Sequence, residues 1–187
     1  MKCCVYTRQF AEGPYMDFFI EHYLKIGFDK IIILKTDRLE YLVPKEFKES
    51  VDIHHVENLG DKTLALHIDK IDRKKFDWVL SVDSDELLVL HNRSPTIKDY
   101  ISRVLQTVPS VNIINFRWLM IEQFYKSDDL KLHDIVRNYN KYENPHIKSM
   151  CKTNALLYIA GCHHFRVESP VIYFENNIIY DNVVLRN

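Results

Sequence analysis

Residues 76–86 read FDWVLSVDSDE, an apolar strand pattern that runs directly into three acidic residues within four positions. Ionised carboxylates at the edge of an apolar core are expensive to desolvate, and crowded carboxylates repel one another. A divalent cation relieves both effects, because Mg2+ and Mn2+ accept carboxylate oxygens and keep positions open for water and substrate phosphates. The spacing of Asp83 and Asp85 therefore predicts a metal that carries a phosphorylated substrate.

The alternative interpretation of the same residues is a polar turn in which Asp83 or Asp85 caps the next segment and no metal binds. The preceding strand favours a ligand site, because ligands of open α/β sheets gather at the carboxyl ends of strands. The G-x-G-x-x-G and P-loop patterns are both absent from the chain. Any nucleotide must therefore be held by the metal and by side chains.

The segments before this stretch predict alternating strands and helices. In chain order they are a strand at 3–7, a helix from Gly13-Pro14 to Gly27, a β-branched strand at 30–34, a weaker strand at 51–56, a helix capped by Asp61 with Leu64, Ile68 and Ile71 on one face, and a strand at 78–82. Proline suits a first helical position and glycine a C-cap. This order predicts an α/β fold with a mostly parallel sheet and helices on its faces.

The second half of the chain has a different character. Thr96 and Asp99 resemble a capping box that opens a helix, and a long strand pattern covers 111–120. Residues 126–142 are polar and predict a helix or a mobile loop. Further strands are expected at 148–158 and 171–180, in an antiparallel elaboration at the C-terminal end of the same single domain.

Composition narrows the function classes. A chain of 187 residues fits one domain, and its net charge of -1 gives no global attraction to nucleic acid or anionic membranes. No apolar run is long enough to span a bilayer, and no secretory signal is evident, so we expect a soluble, cytoplasmic protein. The four cysteines, Cys3, Cys4, Cys151 and Cys162, form no C-x-x-C pair and are expected to be reduced and partly buried.

Three further groups of residues are candidates for chemistry. His163 or His164 is a candidate third ligand for the metal at Asp83 and Asp85. Adjacent strand residues point to opposite faces, so one metal is expected to bind only one of the two. The alternative is an ordinary surface or core histidine pair. Lys148 and Arg166 supply positive charge suited to a diphosphate, or are plain surface residues. Candidates for a general base are Glu122, Asp128 and Asp129, with a solvated loop as the alternative.

Taken together, these segments resemble the GT-A glycosyltransferases, in particular glycosyltransferase family 92 and its family-2-like relatives. The family has an acidic residue after its first strand, here Glu12, and then a helix ending near a histidine followed by G-F-D-K, here within residues 22–30. Its acidic signature, D-x-D-E-F, stands here as Asp83-Ser84-Asp85-Glu86-Leu87. A later K-S followed by a histidine matches Lys148-Ser149 and His163 or His164. The resemblance covers roughly Cys3 to Phe165.

The resemblance implies a Rossmann-like GT-A catalytic domain over residues 1–187, with a nucleotide-sugar-binding half at 1–90 and an acceptor-side half at 91–187. The short length also fits one domain of a longer polypeptide. The implied reaction moves a sugar from a nucleotide diphosphate sugar, with a UDP-sugar favoured, to a hydroxyl of a glycan or glycoprotein acceptor.

The resemblance also implies roles for individual residues. Asp83, Ser84 and Asp85 would bind the donor through Mn2+ or Mg2+, with Lys148 beside the diphosphate. The remaining implied roles are Thr7, Arg8 and Asp37 at the base and ribose, Lys62 at the phosphates or sugar, and Glu122 or Asp128 as base if the reaction inverts configuration.

Two rival functions share the same residues. A metal-dependent nucleotide-sugar hydrolase would place an ordered water where the transferase has an acceptor. A non-catalytic carbohydrate-binding module on a degenerate transferase scaffold would bind sugar without turnover, and fold alone does not separate the two cases.

Overall fold

A computed structural model describes residues 1–10, 13–90, 94–121, 141–160 and 164–181 of the chain. The strands are β1 (Cys3–Gln9), β2 (Lys30–Lys35), β3 (Val51–His55), β4 (Trp78–Ser81), β5 (Leu87–Leu88), β6 (Ile113–Ile121), β7 (Lys141–Lys152), β8 (Leu156–Ala160), β9 (His164–Val167) and β10 (Ile172–Asp181). The α-helices are α1 (Gly13–Lys25), α2 (Thr63–Leu66) and α3 (Ile97–Thr107). Short 3-10 helices cover Lys45–Ser50, Gly60–Lys62 and Ile68–Lys70.

Eight strands form the main sheet in the order β3-β2-β1-β4-β7-β6-β10-β5. The first four are mutually parallel, and β10 is parallel to β6. The strand β7 runs antiparallel to both of its neighbours, and β5 antiparallel to β10. The predicted α/β class with a mostly parallel sheet is confirmed. The predicted antiparallel elaboration is present as β7 and as a separate two-stranded sheet of β8 and β9.

The sheet is covered on both faces, as continuous apolar strands require. Helices α1 and α3 cover one face and bury Tyr23 and Tyr100 against it. Helix α2 and the β8–β9 sheet cover the other face and bury Leu64 and Phe165. The strand β2 lies between the two layers, and all six of its residues are buried. This layering brings the carboxyl ends of β1, β2 and β4 to one edge of the sheet.

Local signals in the sequence fix several element ends. Helix α1 is followed by Gly27 at φ 97°, a left-handed conformation that glycine adopts without strain. The predicted capping box is confirmed, because the Thr96 side chain accepts from the Asp99 backbone N–H and the Asp99 side chain accepts from the Thr96 backbone N–H. The Ile97 N–H also donates to the Ile26 carbonyl at 2.8 Å, which ties the start of α3 to the end of α1.

The prediction of a single helix from Asp61 to Ile71 is wrong. The segment consists of a 3-10 turn, the four-residue α2, and a second 3-10 turn. Helix α2 begins at Thr63 with Lys62 in the N-cap position, one residue after the predicted cap. Leu64 and Ile71 are nevertheless both buried in the same apolar layer. Their seven-residue spacing therefore reflects burial in the same apolar layer, although the two residues do not lie on one continuous helix.

Two strand predictions in the second half also need correction. The strand expected at 148–158 is divided by a turn into β7 and β8. The strand expected at 171–180 is present as β10, which pairs antiparallel with β5, as expected, but parallel with β6. Most of residues 126–142, predicted as a helix or loop, lie outside the described residues.

Two predictions from composition concern the interior and the membrane. Cys3, Cys4 and Cys151 are free and buried, while Cys162 lies outside the described residues. Burial raises the pKa of the Cys3 and Cys151 thiols to about 12, so both are protonated at neutral pH. Across the described part of the chain, the helices are too short or too polar to cross a bilayer.

Candidate functional site

The site begins where β4 ends. All four residues of β4 are buried, and the Val82 N–H still donates to the Tyr6 carbonyl of β1 at 3.2 Å. The chain then leaves the sheet in a turn of residues 83–86, called here the acidic turn. Because β4 is a central strand flanked by β1 and β7, the acidic turn lies at the middle of the sheet edge.

Glu86 closes the acidic turn on itself. Its backbone N–H donates to the Asp83 carbonyl at 3.1 Å, and its carboxylate Oε2 accepts from the Asp83 backbone N–H at 2.9 Å. The Glu86 side chain is fully buried. A buried carboxylate is destabilising unless it is paired, so this turn needs a cation from elsewhere in the fold.

Lys148 of β7 provides that cation. Its Nζ lies 2.9 Å from Glu86 Oε1 and 2.7 Å from Asp83 Oδ2. Burial alone would lower the pKa of the Lys148 ammonium, but the carboxylates of Glu86 and Asp83 raise it above its ordinary value. The Lys148 side chain is 0% exposed, whereas the Asp83 side chain is 32% exposed. The ammonium thus connects a buried carboxylate to one that solvent reaches.

Asp85 is the third carboxylate of the acidic turn. Burial first, and then the negative charge of Asp83, raise the pKa of its carboxyl group. Ser84, between the two aspartates, is buried. The surroundings of Asp85 therefore disfavour the ionised form of this carboxyl group relative to a solvent-exposed aspartate.

The charges of these groups bear on the predicted metal. Three carboxylates face one ammonium, so the four groups carry two negative charges when all are ionised. Carboxylate oxygens are the ligands preferred by Mg2+ and Mn2+. Asp83 and Asp85 therefore fit one divalent cation in both charge and donor type. Among the described residues, however, no group of three His, Cys, Asp or Glu side chains is placed to hold a metal ion.

Helix α1 fixes the far end of the acidic turn. The Tyr23 hydroxyl donates to the Glu86 carbonyl at 2.9 Å and accepts from the Leu88 N–H at 3.2 Å. The ring of His22 also contacts the Leu88 carbonyl, with 2.9 Å between Nε2 and the oxygen. Burial, as the larger effect, lowers the pKa of His22, so the neutral ring is favoured here. Two adjacent residues of α1 thus hold the segment that leaves the turn.

Changing Tyr23 to Phe is expected to lower the free energy of unfolding by about 1–3 kcal/mol, because it leaves the buried Leu88 N–H and Glu86 carbonyl without this partner. The ring and its packing against Phe19 are retained. Urea denaturation at pH 7 measures the change, with the exposed Tyr158→Phe as control. A Tyr23→Phe protein as stable as the wild type would contradict this role of the hydroxyl.

Residues at the ends of β1 and β2 occupy the same sheet edge. Thr7 is buried in β1, and Arg8 is partly exposed beside Leu34 of β2. Asp37 follows β2, where its Oδ1 accepts from Lys35 Nζ and from the Leu39 N–H. The structure thus places Thr7 and Arg8 on β1, the strand next to β4, and Asp37 just after β2, on the far side of β1 from β4. Contact of these residues with a base or ribose stays a prediction.

The other predicted site residues are more dispersed. Lys62 is exposed in the 3-10 turn before α2. His164 opens β9 and is exposed, and it does not join Asp83 and Asp85 in a three-ligand group within the described ranges. Glu122, Asp128 and His163 lie outside the described residues. The third-ligand and general-base assignments therefore stay predictions.

The sequence reasoning assigned no role to Glu86 or Tyr23. The available signal was local for Glu86, since it is an acidic residue directly followed by Leu87 and Leu88, a context that indicates burial and the need for a partner. For Tyr23, its position on the buried face of α1 indicates core packing alone. Only the tertiary structure shows that its hydroxyl bonds the acidic turn.

No protein-family model matches the chain, and no curated protein sequence matches it. Solved structures do align with it, among them three at low identity. The CMP:2-keto-3-deoxy-manno-octonic acid synthetase complexed with CTP is 8% identical with a TM-score of 0.42, over 82% of this chain and 75% of that one. Mannosyltransferase PcManGT from Pyrobaculum calidifontis, in complex with GDP-Man and Mn2+, is 8% identical with a TM-score of 0.39, over 60% of this chain and 34% of that one. A glycosyltransferase involved in glycosylation of the major capsid of PBCV-1 is 14% identical with a TM-score of 0.40, over 83% of this chain and 62% of that one.

Proposed function

We propose that the chain is a metal-dependent glycosyltransferase that moves a sugar from a nucleotide diphosphate sugar, with a UDP-sugar favoured, to a hydroxyl of a glycan or glycoprotein acceptor. The observation that carries the proposal is the acidic turn, which places three carboxylates and the Lys148 ammonium at the carboxyl end of the central strand β4. Ligands of open α/β sheets bind at this edge. The motif resemblance to GT-A glycosyltransferases supports the same assignment.

Asp83 and Asp85 would hold the Mn2+ or Mg2+ ion in this proposal. When bound, the cation supplies electrostatic stabilisation of the charge that develops on the leaving diphosphate. The role of Asp85 is to provide a second carboxylate, and a bound cation would offset the effects of burial and of the Asp83 charge, which raise the pKa of this carboxyl group. Glu86 and Lys148 keep the backbone and carboxylate of Asp83 in place.

The donor nucleotide would lie along the ends of β1 and β2. We assign Thr7, Arg8 and Asp37 to the base and ribose and Lys62 to the phosphates or sugar. Ser84 and Lys148 belong to the donor site through the acidic turn itself. Glu122 or Asp128 is proposed as general base for an inverting reaction, because deprotonating an acceptor hydroxyl requires a carboxylate within hydrogen-bond reach.

Isothermal titration of UDP, GDP and their sugars into the purified chain tests the donor site, with Mn2+ and again with EDTA. We expect one nucleotide to bind only with the metal, and Asp85→Asn to weaken that binding. The matched control is Asp69→Asn, whose exposed carboxylate bonds Lys70 in a 3-10 helix. No nucleotide binding to the folded wild type would rule out the donor site and favour the carbohydrate-binding module.

Product analysis then separates transfer from hydrolysis. A transferase yields glycosylated acceptor and little free sugar when acceptor is supplied. Free sugar released at the same rate with and without every acceptor would instead identify the metal-dependent hydrolase.

A further inference from the structure

We infer that the buried pair of Glu86 and Lys148 is a positioning device that holds Asp83 at the donor site, and this inference rests on the proposed function. The Glu86 side chain is connected to Asp83 in two ways, once directly and once through Lys148. Its Oε2 accepts from the Asp83 backbone N–H at 2.9 Å, and its Oε1 lies 2.9 Å from the Lys148 ammonium, which in turn bonds Asp83 Oδ2 at 2.7 Å. Glu86 thus holds the main chain of Asp83, and Lys148, itself paired with Glu86, holds its carboxylate.

Glu86 and Asp83 differ in exposure, and this difference indicates that Lys148 does more than neutralise a buried carboxylate. A lysine that only neutralised Glu86 would need a single carboxylate partner. Lys148 instead also bonds Asp83, whose side chain is 32% exposed and has access to water. Buried ion pairs are commonly no more stabilising than apolar residues of similar volume, so stability alone does not explain the arrangement. Holding an exposed carboxylate in one orientation does explain it.

Metal sites depend on such supporting contacts. Groups that orient a ligand without touching the metal commonly change metal affinity by about 10–100-fold when they are removed. Glu86 and Lys148 would act in this way on Asp83, through a hydrogen bond to its backbone and an ion pair to its carboxylate. They are therefore positioning residues, and neither is proposed as a metal ligand.

The test separates two effects on Mn2+ affinity, that of the total charge of the site and that of the position of Asp83. The double variant Glu86→Gln with Lys148→Met removes one negative and one positive charge, so the total charge of the four groups is unchanged. If charge alone sets metal affinity, Mn2+ binding stays the same. If the pair positions Asp83, Mn2+ binding weakens by about 10–100-fold. Free Mn2+ is measured by electron paramagnetic resonance at pH 7 without nucleotide, so the readout does not depend on turnover.

The matched control is Asp69→Asn with Lys70→Met, the same chemical change at the exposed pair whose Nζ to Oδ2 distance is 2.9 Å. It should bind Mn2+ like the wild type. A second variant, Tyr23→Phe, changes no charge and loosens the backbone of Glu86, so a severalfold weaker Mn2+ affinity is expected for it. This variant decides the question if the double variant does not fold.

The outcomes are distinct. Wild-type binding of Mn2+ with a weakened double variant supports the inference, as does a weakened Tyr23→Phe. Equal Mn2+ affinity in the wild type and the double variant overturns the inference but does not affect the proposed function. A folded wild type that binds no Mn2+ overturns the metal-dependent function, and the inference with it.

Discussion

Replacing Asp85 with asparagine is expected to reduce sugar transfer by about a hundredfold or more while making the metal-free protein more stable at pH 7. The rate loss follows from removing a carboxylate that the proposed function uses to hold charge at the leaving group, and loss of such electrostatic groups has effects of this order. Initial rates with saturating donor and Mn2+ measure it. The stability gain follows from the raised pKa of this carboxyl.

The sign of the stability change can be worked out from linkage. Burial and the Asp83 charge raise the pKa of Asp85 in the folded state, so this group favours folding only when it is protonated. That contribution is complete below the ordinary pKa of about 3.9 and is lost as the pH rises through the folded-state pKa. Asp85→Asn should therefore unfold at a higher temperature than the wild type at pH 7 in EDTA, and the difference should shrink towards pH 4. Equal stability at pH 7, or an active variant, would count against the proposed role, with Asp69→Asn as the control.

Replacing Lys148 with methionine is expected to lower the free energy of unfolding by about 3–5 kcal/mol. The Glu86 carboxylate would stay fully buried without its counter-charge, and Asp83 would lose the same partner. Breaking a buried pair by removing one member is far more destabilising than removing an exposed pair. Urea denaturation at pH 7 gives the difference between the variant and the wild type.

Adding Glu86→Gln to Lys148→Met should restore most of the lost stability, because the buried charge is then removed as well. Lys70→Met, which breaks the exposed pair with Asp69, should change stability by about 1 kcal/mol or less. Two results would contradict the buried charge contact described here. One is a stability loss for Lys148→Met as small as that of Lys70→Met. The other is a double variant that is no more stable than Lys148→Met alone.

The sequence predicts those parts of the fold that depend on interactions between residues close together in the chain. The β-branched run of β2 indicates burial on both faces, and each residue of that strand is buried. Gly27 ends α1 because a left-handed position favours glycine, and Thr96 opens α3 through hydrogen bonds within a single turn. The acidic turn after β4 is likewise visible in the sequence, since an apolar strand leads directly into it.

The remaining features depend on contacts between distant segments. Lys148 bonds Asp83 across 65 positions of chain, and this requires β7 to pair with β4 so that Ser149 lies opposite Ser81. Neither strand has a sequence pattern that predicts this register. The sequence therefore indicated positive charge near a diphosphate, whereas the structure shows Lys148 buried between Asp83 and Glu86. The helix predicted through Ile71 failed for a related reason, because burial in a shared layer imitates helical spacing.

The antiparallel strand β7 also has a consequence for the expected order of folding. Strands β1 to β4 come from the first 81 residues and pair with one another, but β7 enters the sheet between β4 and β6 only after residues 141–152 are available. Pairings between distant segments form slowly, because the loop between them must close first. During synthesis, a chain that has emerged only as far as residue 140 has β4 and its three carboxylates but no ammonium to neutralise them. We therefore expect the acidic turn to be among the last parts of the molecule to form, with its carboxylates hydrated until β7 is in place.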